Sequence, residues 1–478
     1  MNKGSIRFIR NFKIVEIDFN QTNFLPSTTI LNYLRQSPDS RGTKEGCGEG
    51  DCGACTVVVA TLCDDNVCYQ SINACLTFLP ALHGKMLITV EDLSDGYRLE
   101  NIHPIQQWYV KEHASQCGFC TPGFVMSTFA MVKNKVVPTR DNITDALAGN
   151  LCRCTGYQSI YTAVEKSLQS SISDKFDART DEIIHLLKSI ETPESGIEIK
   201  TRKQTYFLAN NLTEALRFKQ ANPKAVVVNG STDIAVQQNK KFLYHPIILD
   251  LSRINELNNI IEDDKEINLG SGVPLEQLKQ QFATKLPILK EALTFFASQQ
   301  IRNVATLGGN LCNASPVGDL IPVMIALKAK AIIQNFAKQR EIPFEEFIVG
   351  YRKTAMADDE LLTRIIIPKP SQKVHLSFEK VSNRQHVDIS TVSLAARWTF
   401  EKETITEIIL AYGGMADRVK RAKNTESFLM GKPLNEQTLK QASVVIESDF
   451  TPISDSRSGK EFRMNVAKNL LLKCLLPL

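Results

Sequence analysis

The chain has 478 residues, 43% hydrophobic and 23% charged, the composition of a soluble globular protein too long for one core, so three or more domains are expected. A net charge of +4 is small for this length and argues against nucleic acid or an anionic membrane as partner. No apolar run reaches the roughly 18–20 residues that span a bilayer, and the opening MNKGSIRFIRNFKIVEIDF lacks a signal peptide's continuous apolar stretch, so a cytoplasmic location is expected.

Residues 5–19 alternate apolar and polar side chains with a break near Asn11, the pattern of a two-strand hairpin. Ser27 to Leu34 reads as a short helix with Ser27 as its N-cap. A Gly-rich cysteine loop comes next, then the β-branched run Thr56–Thr61; hairpin, helix, loop and strand suit a β-grasp module over 1–85. A second module over 86–170 turns to helical periodicity from about Asn101 to Leu168, which predicts a bundle of four helices. Residues 171–198 read as a linker, with one amphipathic stretch (Ile183, Ile184, Leu187, Ile190) before ETPESG. Strands (Ala225–Asn229, Pro246–Leu251) and helices (Leu275–Phe282, Pro287–Ser298) then alternate over 199–370. The last segment, 371–478, opens on strands His375–Lys380, Ser390–Phe400 and Thr404–Tyr412 and closes on helices. The fold class is therefore multidomain α+β.

Eight of the twelve cysteines form two quartets. Cys47, Cys52 and Cys55 are spaced C-x4-C-x2-C, with Cys75 beyond, which is the plant-type [2Fe–2S] spacing and not a zinc spacing. Four thiolates are needed because each iron takes two besides the bridging sulfides. The second quartet, Cys117, Cys120, Cys152 and Cys154, combines C-x2-C with C-x-C. Thr121 as N-cap and Pro122 in the first turn place Cys117 and Cys120 at a helix start, where the positive helix end favours an anionic cluster. A C-x-C pair projects both thiols one way only from a turn. A zinc site is the alternative for each quartet, and a redox disulfide for the second. Cys63, Cys68, Cys312 and Cys474 fall outside both and read as buried free thiols.

No GxGxxG follows a strand; Gly270-Ser-Gly272-Val-Pro-Leu lacks the third Gly, so a Rossmann site is unsupported. Two other Gly-bearing loops could let backbone N–H groups approach a pyrophosphate. One is Val227-Val228-Asn229-Gly230-Ser231-Thr232-Asp233-Ile234; the other runs from Ile301 through Thr306, Gly309, Asn310, Asn313 and Ser315 to Asp319. Taken alone, each reads more readily as a tight turn.

EGCGEGDCGACTV, SQCGFCTPGFVM and GNLCRCTGY resemble the iron–sulfur half of the molybdenum hydroxylases, the xanthine dehydrogenase and aldehyde oxidase family, over about residues 5–165. The resemblance implies two [2Fe–2S] clusters, with the helical-domain cluster facing a molybdopterin and the ferredoxin-like cluster lying between it and a flavin. Gln116 matches the family residue near the pterin. The two later loops resemble the family's FAD domain, a fold shared with vanillyl-alcohol oxidase, over most of 205–425. Implied FAD contacts are Val227, Val228, Asn229, Gly230, Ser231, Thr232, Asp233 and Ile234, then Thr306, Gly309, Asn310, Asn313, Ser315 and Asp319. Phe296 and Ala297 match a stretch bordering the isoalloxazine, and Leu362 and Lys380 match later contacts. Asn229 stands where the family often has Gly, and Asn tolerates a left-handed backbone. Tyr412-Gly-Gly-Met-Ala416 resembles a structural marker of the C-terminal domain.

Phe347-Ile-Val-Gly350-Tyr351-Arg352-Lys353-Thr354 is similar to a stretch in members that reduce NAD⁺, with an aromatic for the nicotinamide and Arg352 or Lys353 for a phosphate; a basic surface turn is the alternative. Ser382–Ile389 occupies the loop whose charge helps select NAD⁺ over oxygen, with Val387 and Asp388 where an acidic pair is common. The family's molybdopterin domain has no counterpart here, so no catalytic residue is assigned. The implied partner is a large molybdopterin-binding subunit that hydroxylates hypoxanthine or xanthine, in a heterotetramer or higher assembly. Alternatives are another molybdenum hydroxylase acting on aldehydes or N-heterocycles, an NADH-dependent flavin reductase, and a zinc-binding interaction scaffold.

Overall fold

The computed structural model describes residues 4–96, 98, 100–190, 195–282 and 284–476. The chain divides into two compact units. The first comprises Met1–Phe218, Lys224–Arg253 and Ala297–Ala305; the second comprises Lys219–Pro223, Ile254–Phe296 and Thr306–Leu478.

The first unit opens with the expected hairpin, β1 (Ser5–Arg10) and β2 (Lys13–Asp18). Its two turn residues, Asn11 and Phe12, have φ of 47° and 58°, the left-handed pair that suits the twist of a tight hairpin. With β3 (Thr56–Cys63), β4 (Asn66–Asn73) and β5 (Met86–Ile88) it makes a sheet ordered β2-β1-β5-β3-β4, in which only β1 and β5 run parallel. The helix Ile30–Leu34 buries Ile30, Leu31 and Leu34. Its cap is Thr29, whose side chain accepts from the Asn32 N–H at 3.2 Å, and not Ser27. Ser27 is instead held by Gln204, which accepts from its N–H at 2.9 Å and donates to its hydroxyl at 3.0 Å.

Four helices come next, as expected: Pro104–Lys111, Thr121–Lys133, Arg140–Leu147 and Gln158–Gln169. The second is buried on nearly every side because Phe124, Val125, Met126, Phe129 and Ala130 leave it no polar face. Cys120, not Thr121, occupies its cap position, and the Thr121 hydroxyl pairs with that of Ser115 at 2.8 Å.

The stretch expected to be a linker carries two further helices, Lys175–Ala178 and Thr180–Ser189. Phe176, Ile183, Leu187 and Ile190 join the core of the helical module, so the amphipathic face read from the sequence has a packing partner. Of ETPESG, residues 191–194 lie outside the described residues. Asp174 precedes these helices and accepts from His103 at 2.9 Å and Lys133 at 2.6 Å, all three side chains almost fully buried. Burial alone would raise this carboxyl, but the hydrogen bonds and charges of His103 and Lys133 outweigh it and hold it well below the usual carboxylate range. A depressed folded value stabilises above the unfolded value of about 4, and that stability drains away as pH falls through it toward the folded value. Asp174→Asn should therefore cost about 3–5 kcal/mol in urea unfolding at pH 7, with the gap to wild type closing below about pH 4.

Strands β6 (Ile197–Lys200), β7 (Thr205–Leu208), β8 (Val226–Val228) and β9 (Ile247–Asp250) form a sheet ordered β6-β7-β9-β8, parallel across the last three. Ile199, Tyr206, Leu208, Val228 and Ile248 share one core with Ile6, Phe8, Leu31, Val57 and Leu79 of the β1–β5 module. The segment read as 199–370 is thus divided between the two units.

The second unit holds β10 (Ile260–Glu262), β11 (Glu266–Gly270), β12 (Lys330–Gln334), β13 (Gln339–Pro343), the small hairpin β14 (Ile348–Gly350) and β15 (Lys353–Thr354), and β16 (Leu361–Pro368). Five of these make an antiparallel sheet ordered β10-β11-β16-β12-β13. A meander of β17 (His375–Val381), β18 (Val392–Glu401), β19 (Thr404–Gly413) and β20 (Lys420–Arg421) packs on helices Lys423–Leu429, Glu436–Val445 and Lys460–Leu475 through Leu394, Leu410, Tyr412, Leu429, Ala442 and Leu471.

Two cysteine expectations are corrected. Cys63 and Cys68 are joined by a disulfide at the outer end of the β3–β4 hairpin, where Thr61 faces Cys68 and Cys63 faces Asn66, so the two thiols are diagonal neighbours on one side. Neither is buried. Cys474 is buried and free, and Cys312 is free and partly buried. No described helix is long and apolar enough to cross a membrane.

Candidate cofactor sites: the cysteine loops and the flavin segments

The first cysteine loop is closed by Lys44, whose N–H donates to the Ala54 carbonyl at 3.0 Å. Inside it, the Glu49 and Asp51 N–H groups point at Cys47 Sγ at 3.4 and 3.2 Å. Cys55 and Cys75 Sγ lie 3.3 Å apart, with the Asn73 amide 3.7 Å from Cys55 Sγ. The thiols meet two by two. Cys47 pairs with Cys52, which lowers the Cys47 thiol to about 5 and drives that of Cys52 far up. In the second quartet Cys117 pairs with Cys154 and Cys120 with Cys152. Among the described residues no three or more His, Cys, Asp or Glu side chains gather as around a single ion. Pairs of thiols are what a binuclear iron–sulfur centre needs, two to each iron. The donor sets, four free thiols each, fit [2Fe–2S] centres.

The two loops touch directly. Leu151, next to Cys152, donates its N–H to the Cys52 carbonyl at 3.0 Å. The Gly53 carbonyl accepts from the Thr56 N–H at 3.0 Å, the Thr56 hydroxyl at 2.7 Å and Asn150 Nδ2 at 3.2 Å. Gly53 has φ +67°, and a Cβ on it would lie 2.3 Å from the Gly149 carbonyl oxygen. Exposure rises along the series. Cys55 and Cys75 are buried, Cys47, Cys52, Cys120 and Cys152 are partly buried, and Cys117 and Cys154 are exposed. Within three positions of Cys117 or Cys154 in the chain, Phe119, Leu151 and Tyr157 stand 47%, 42% and 45% exposed. Gln116 is exposed in the same loop, before the helix rather than at its end.

At the carboxyl end of β8, Val227 and Val228 give way to Asn229, Gly230 and Ser231. Gly230 (φ +85°) and Ser231 (φ +55°) take the left-handed conformations, and Asn229 does not. The turn therefore falls one residue later than expected, on a true glycine. The Ser231 hydroxyl donates to the Leu76 carbonyl at 2.7 Å, and Asp233 precedes the helix Ile234–Lys241. Thr232 lies partly buried between them. Ala297, with φ +48°, accepts from Arg302 through its carbonyl at 3.2 Å.

Sequence reasoning missed the short helix just after Ala297, Gln299–Arg302. Arg302, fully buried, meets Asp145 with one nitrogen at 2.9 and 3.0 Å; Gln300 donates to Asn150 at 2.7 Å; Asn303 donates to the Ser71 carbonyl at 2.8 Å. Together they fasten the helical module and the β1–β5 sheet to each other. The signal was a QQIRN run whose partners lie 150 or more residues away.

In the second unit Thr306 caps the helix Leu307–Cys312 by accepting from the Gly309 N–H at 3.1 Å. The Asn310 side-chain oxygen is buried and has no hydrogen-bond partner among the described residues, an acceptor open to a ligand donor. Asn313 accepts from Arg352 at 2.7 Å, and Ser315 accepts from the Val317 N–H at 3.4 Å. The Gly414 N–H donates to the Pro316 carbonyl at 2.8 Å, which makes the Tyr412–Ala416 stretch a brace for this turn. Asp319 and Lys380 face each other at 2.8 Å, each side chain 5% exposed. Lys380 also donates to the Asp388 carbonyl at 2.8 Å, and the Ser390 hydroxyl to Asp319. These two residues are committed to one another and to the 382–389 loop. Lys380→Met should cost about 3–5 kcal/mol by leaving Asp319 buried and unpaired, read as a lower thermal midpoint. Leu362 is buried in β16, and Phe296 follows the helix Pro287–Thr294. Phe347 is buried and stacked on Phe344, so it is not free to meet a nicotinamide; Tyr351, at the tip of the β14–β15 hairpin, is 62% exposed.

Three stretches match known families: residues 89–165 the [2Fe-2S] binding domain, 198–370 the FAD binding domain in molybdopterin dehydrogenase, and 377–478 the CO dehydrogenase flavoprotein C-terminal domain. The rat xanthine dehydrogenase/oxidase is 32% identical over 98% of this chain, and xanthine dehydrogenase 2 of Arabidopsis thaliana 32% over 95%. The chain spans 38% of the length of each of these relatives. Among solved structures, a carbon monoxide dehydrogenase chain from Hydrogenophaga pseudoflava, 22% identical, superposes with a TM-score of 0.55 over 58% of this chain and 97% of its own. A quinoline 2-oxidoreductase chain from Pseudomonas putida, 25% identical, gives 0.52 over 56% and 93%. The chain belongs to the molybdenum hydroxylase family, as its iron–sulfur and FAD electron-transfer part.

Proposed function

We propose that this chain is the electron-transferring subunit of a xanthine dehydrogenase whose molybdopterin-binding region is carried by a large partner subunit. Cys47, Cys52, Cys55 and Cys75 would hold one [2Fe–2S] cluster, and Cys117, Cys120, Cys152 and Cys154 the other. Two clusters and FAD supply one-electron carriage and its conversion to a two-electron reduction of NAD⁺. The observation that carries the reading is the rising exposure of the sulfurs, from buried Cys55 and Cys75 to exposed Cys117 and Cys154 within a rim of Phe119, Leu151 and Tyr157. Such a rim suits a protein partner, because apolar and aromatic side chains beside a redox centre exclude water once covered. Between the quartets, the hydrogen bond from the Leu151 N–H to the Cys52 carbonyl is a direct non-covalent bridge, which supports transfer from one to the other.

The Asn229–Asp233 turn is proposed to meet the flavin phosphates with backbone N–H groups, and the Thr306–Asp319 segment to offer Asn310 as an acceptor. Tyr351 is proposed as the aromatic that meets NAD⁺.

The test is anaerobic purification with and without a co-expressed molybdopterin-binding chain. Four irons, one FAD and xanthine-dependent NAD⁺ reduction only when both chains are present would support the proposal. NADH oxidation through this chain to a protein acceptor, with no molybdenum-containing partner retained, would rule it out. Activity on aldehydes or N-heterocycles but not on xanthine would move the chain to another member of the family.

A further inference from the structure

The helix that leaves the flavin turn reaches back to the first cysteine loop. Asn239, near its end, donates both amide protons of Nδ2: to the Gly48 carbonyl at 2.9 Å and to the Cys75 carbonyl at 2.8 Å. These carbonyls come from separate arms of the quartet, one just after Cys47 and the other on Cys75 itself, 27 positions further on. Eight residues before Asn239, the Ser231 hydroxyl takes the next carbonyl, that of Leu76. Segment 231–239 therefore holds the Cys75–Leu76 backbone at two points and the Gly48 peptide at one.

The Gly48 peptide is a sensitive place to hold. It has φ +68°, and just beyond it lie the Glu49 and Asp51 N–H groups that point at Cys47 Sγ. Donors aimed at a ligand sulfur favour the reduced, more negative state of an iron–sulfur centre. Fixing Gly48 keeps those donors aligned, and freeing it lets them swing away.

We propose that Asn239 is a positioning residue that holds up the reduction potential of the centre bound by Cys47, Cys52, Cys55 and Cys75, acting through the Gly48 and Cys75 carbonyls. This rests on the assignment of those cysteines as [2Fe–2S] ligands. The test is a redox titration of the reconstituted full chain, each centre followed by its own EPR signal, for wild type, Asn239→Leu and Asn239→Ala. Leu is close in size and cannot donate. At the potential where the wild-type first centre is half reduced, the ratio of reduced to oxidised first centre in either variant should fall on the order of tenfold, with the second centre unmoved. Asn239→Gln, which restores a donor on a longer arm, should recover part of the shift. An unmoved first midpoint in whichever variant holds the centre overturns the proposal. So does loss of the first centre from both variants with the second retained, since that marks a purely structural role. A wild-type chain with no [2Fe–2S] signal after reconstitution would sink the ligand assignment as well, and is told apart by that.

Discussion

Gly230→Val should give a chain that retains no FAD after gel filtration and unfolds several degrees earlier than wild type. Two effects add. Gly230 sits at φ +85°, which a β-branched residue adopts at a cost of roughly 1–3 kcal/mol. Its Cβ would also lie 1.9 Å from the Val304 carbonyl oxygen and 2.7 Å from the carbonyl carbon, so backbone must move, which adds about 1–3 kcal/mol. The segment that would move is the turn itself, and flavin should be lost before the fold is. Gly84→Val is the control: φ there is +77°, but no described residue lies within 4 Å of where its Cβ would sit. It should show the conformational cost alone and keep its flavin. Equal flavin retention in the two variants would mean that this turn is not where the phosphates bind.

Gly53→Ala should separate the two cysteine loops. The new methyl would meet the Gly149 carbonyl oxygen at 2.3 Å, Asn150 Nδ2 at 2.5 Å and Asn150 Cα at 2.9 Å, at a φ of +67°. None of these can yield alone, because Asn150 is itself held by Gln300 and Ser127. The hydrogen bond from Leu151 to the Cys52 carbonyl should lengthen or break, and disruptions of this kind one shell out from a metal typically cost about 10–100-fold in metal affinity or activity. The expected result is iron content reduced by about half, or, where both centres assemble, passage of electrons between them slowed on the order of 100-fold in stopped-flow reduction. Gly156→Ala, at φ +66° with no described residue within 4 Å of the new methyl, should leave both readings near wild type.

Legibility in the sequence depended on range. The eight cysteines and the Gly-bearing turns are local patterns, and the hairpin at Asn11 and the four helices come from periodicity. Caps were misread by one or two positions because Ser27 and Thr29, or Cys120 and Thr121, differ only in which side chain finds its donor, and Ser27 had been claimed by Gln204. The segment at 175–189 was read as linker because its apolar face is narrow and its partner, the helical core, is assembled from elsewhere. Asn239, Asn150, Gln300 and Arg302 were invisible for a related reason. An amide or guanidinium says nothing of its role until a carbonyl or carboxylate 97 or more residues away is brought beside it. Asp319 and Lys380, implied as flavin contacts by the resemblance, form an ion pair with each other, a pairing of positions 61 residues apart that no local pattern shows.

Because β6–β9 bury their aliphatic side chains against the same core as the first sheet, a gene cut at residue 199 would leave raw hydrocarbon on both products. In this chain the first sheet and β6–β9 therefore depend on one another for burial. Laboratory shuffling among relatives should exchange residues 1–218, 224–253 and 297–305 together, not the modules that motif spacing alone would separate.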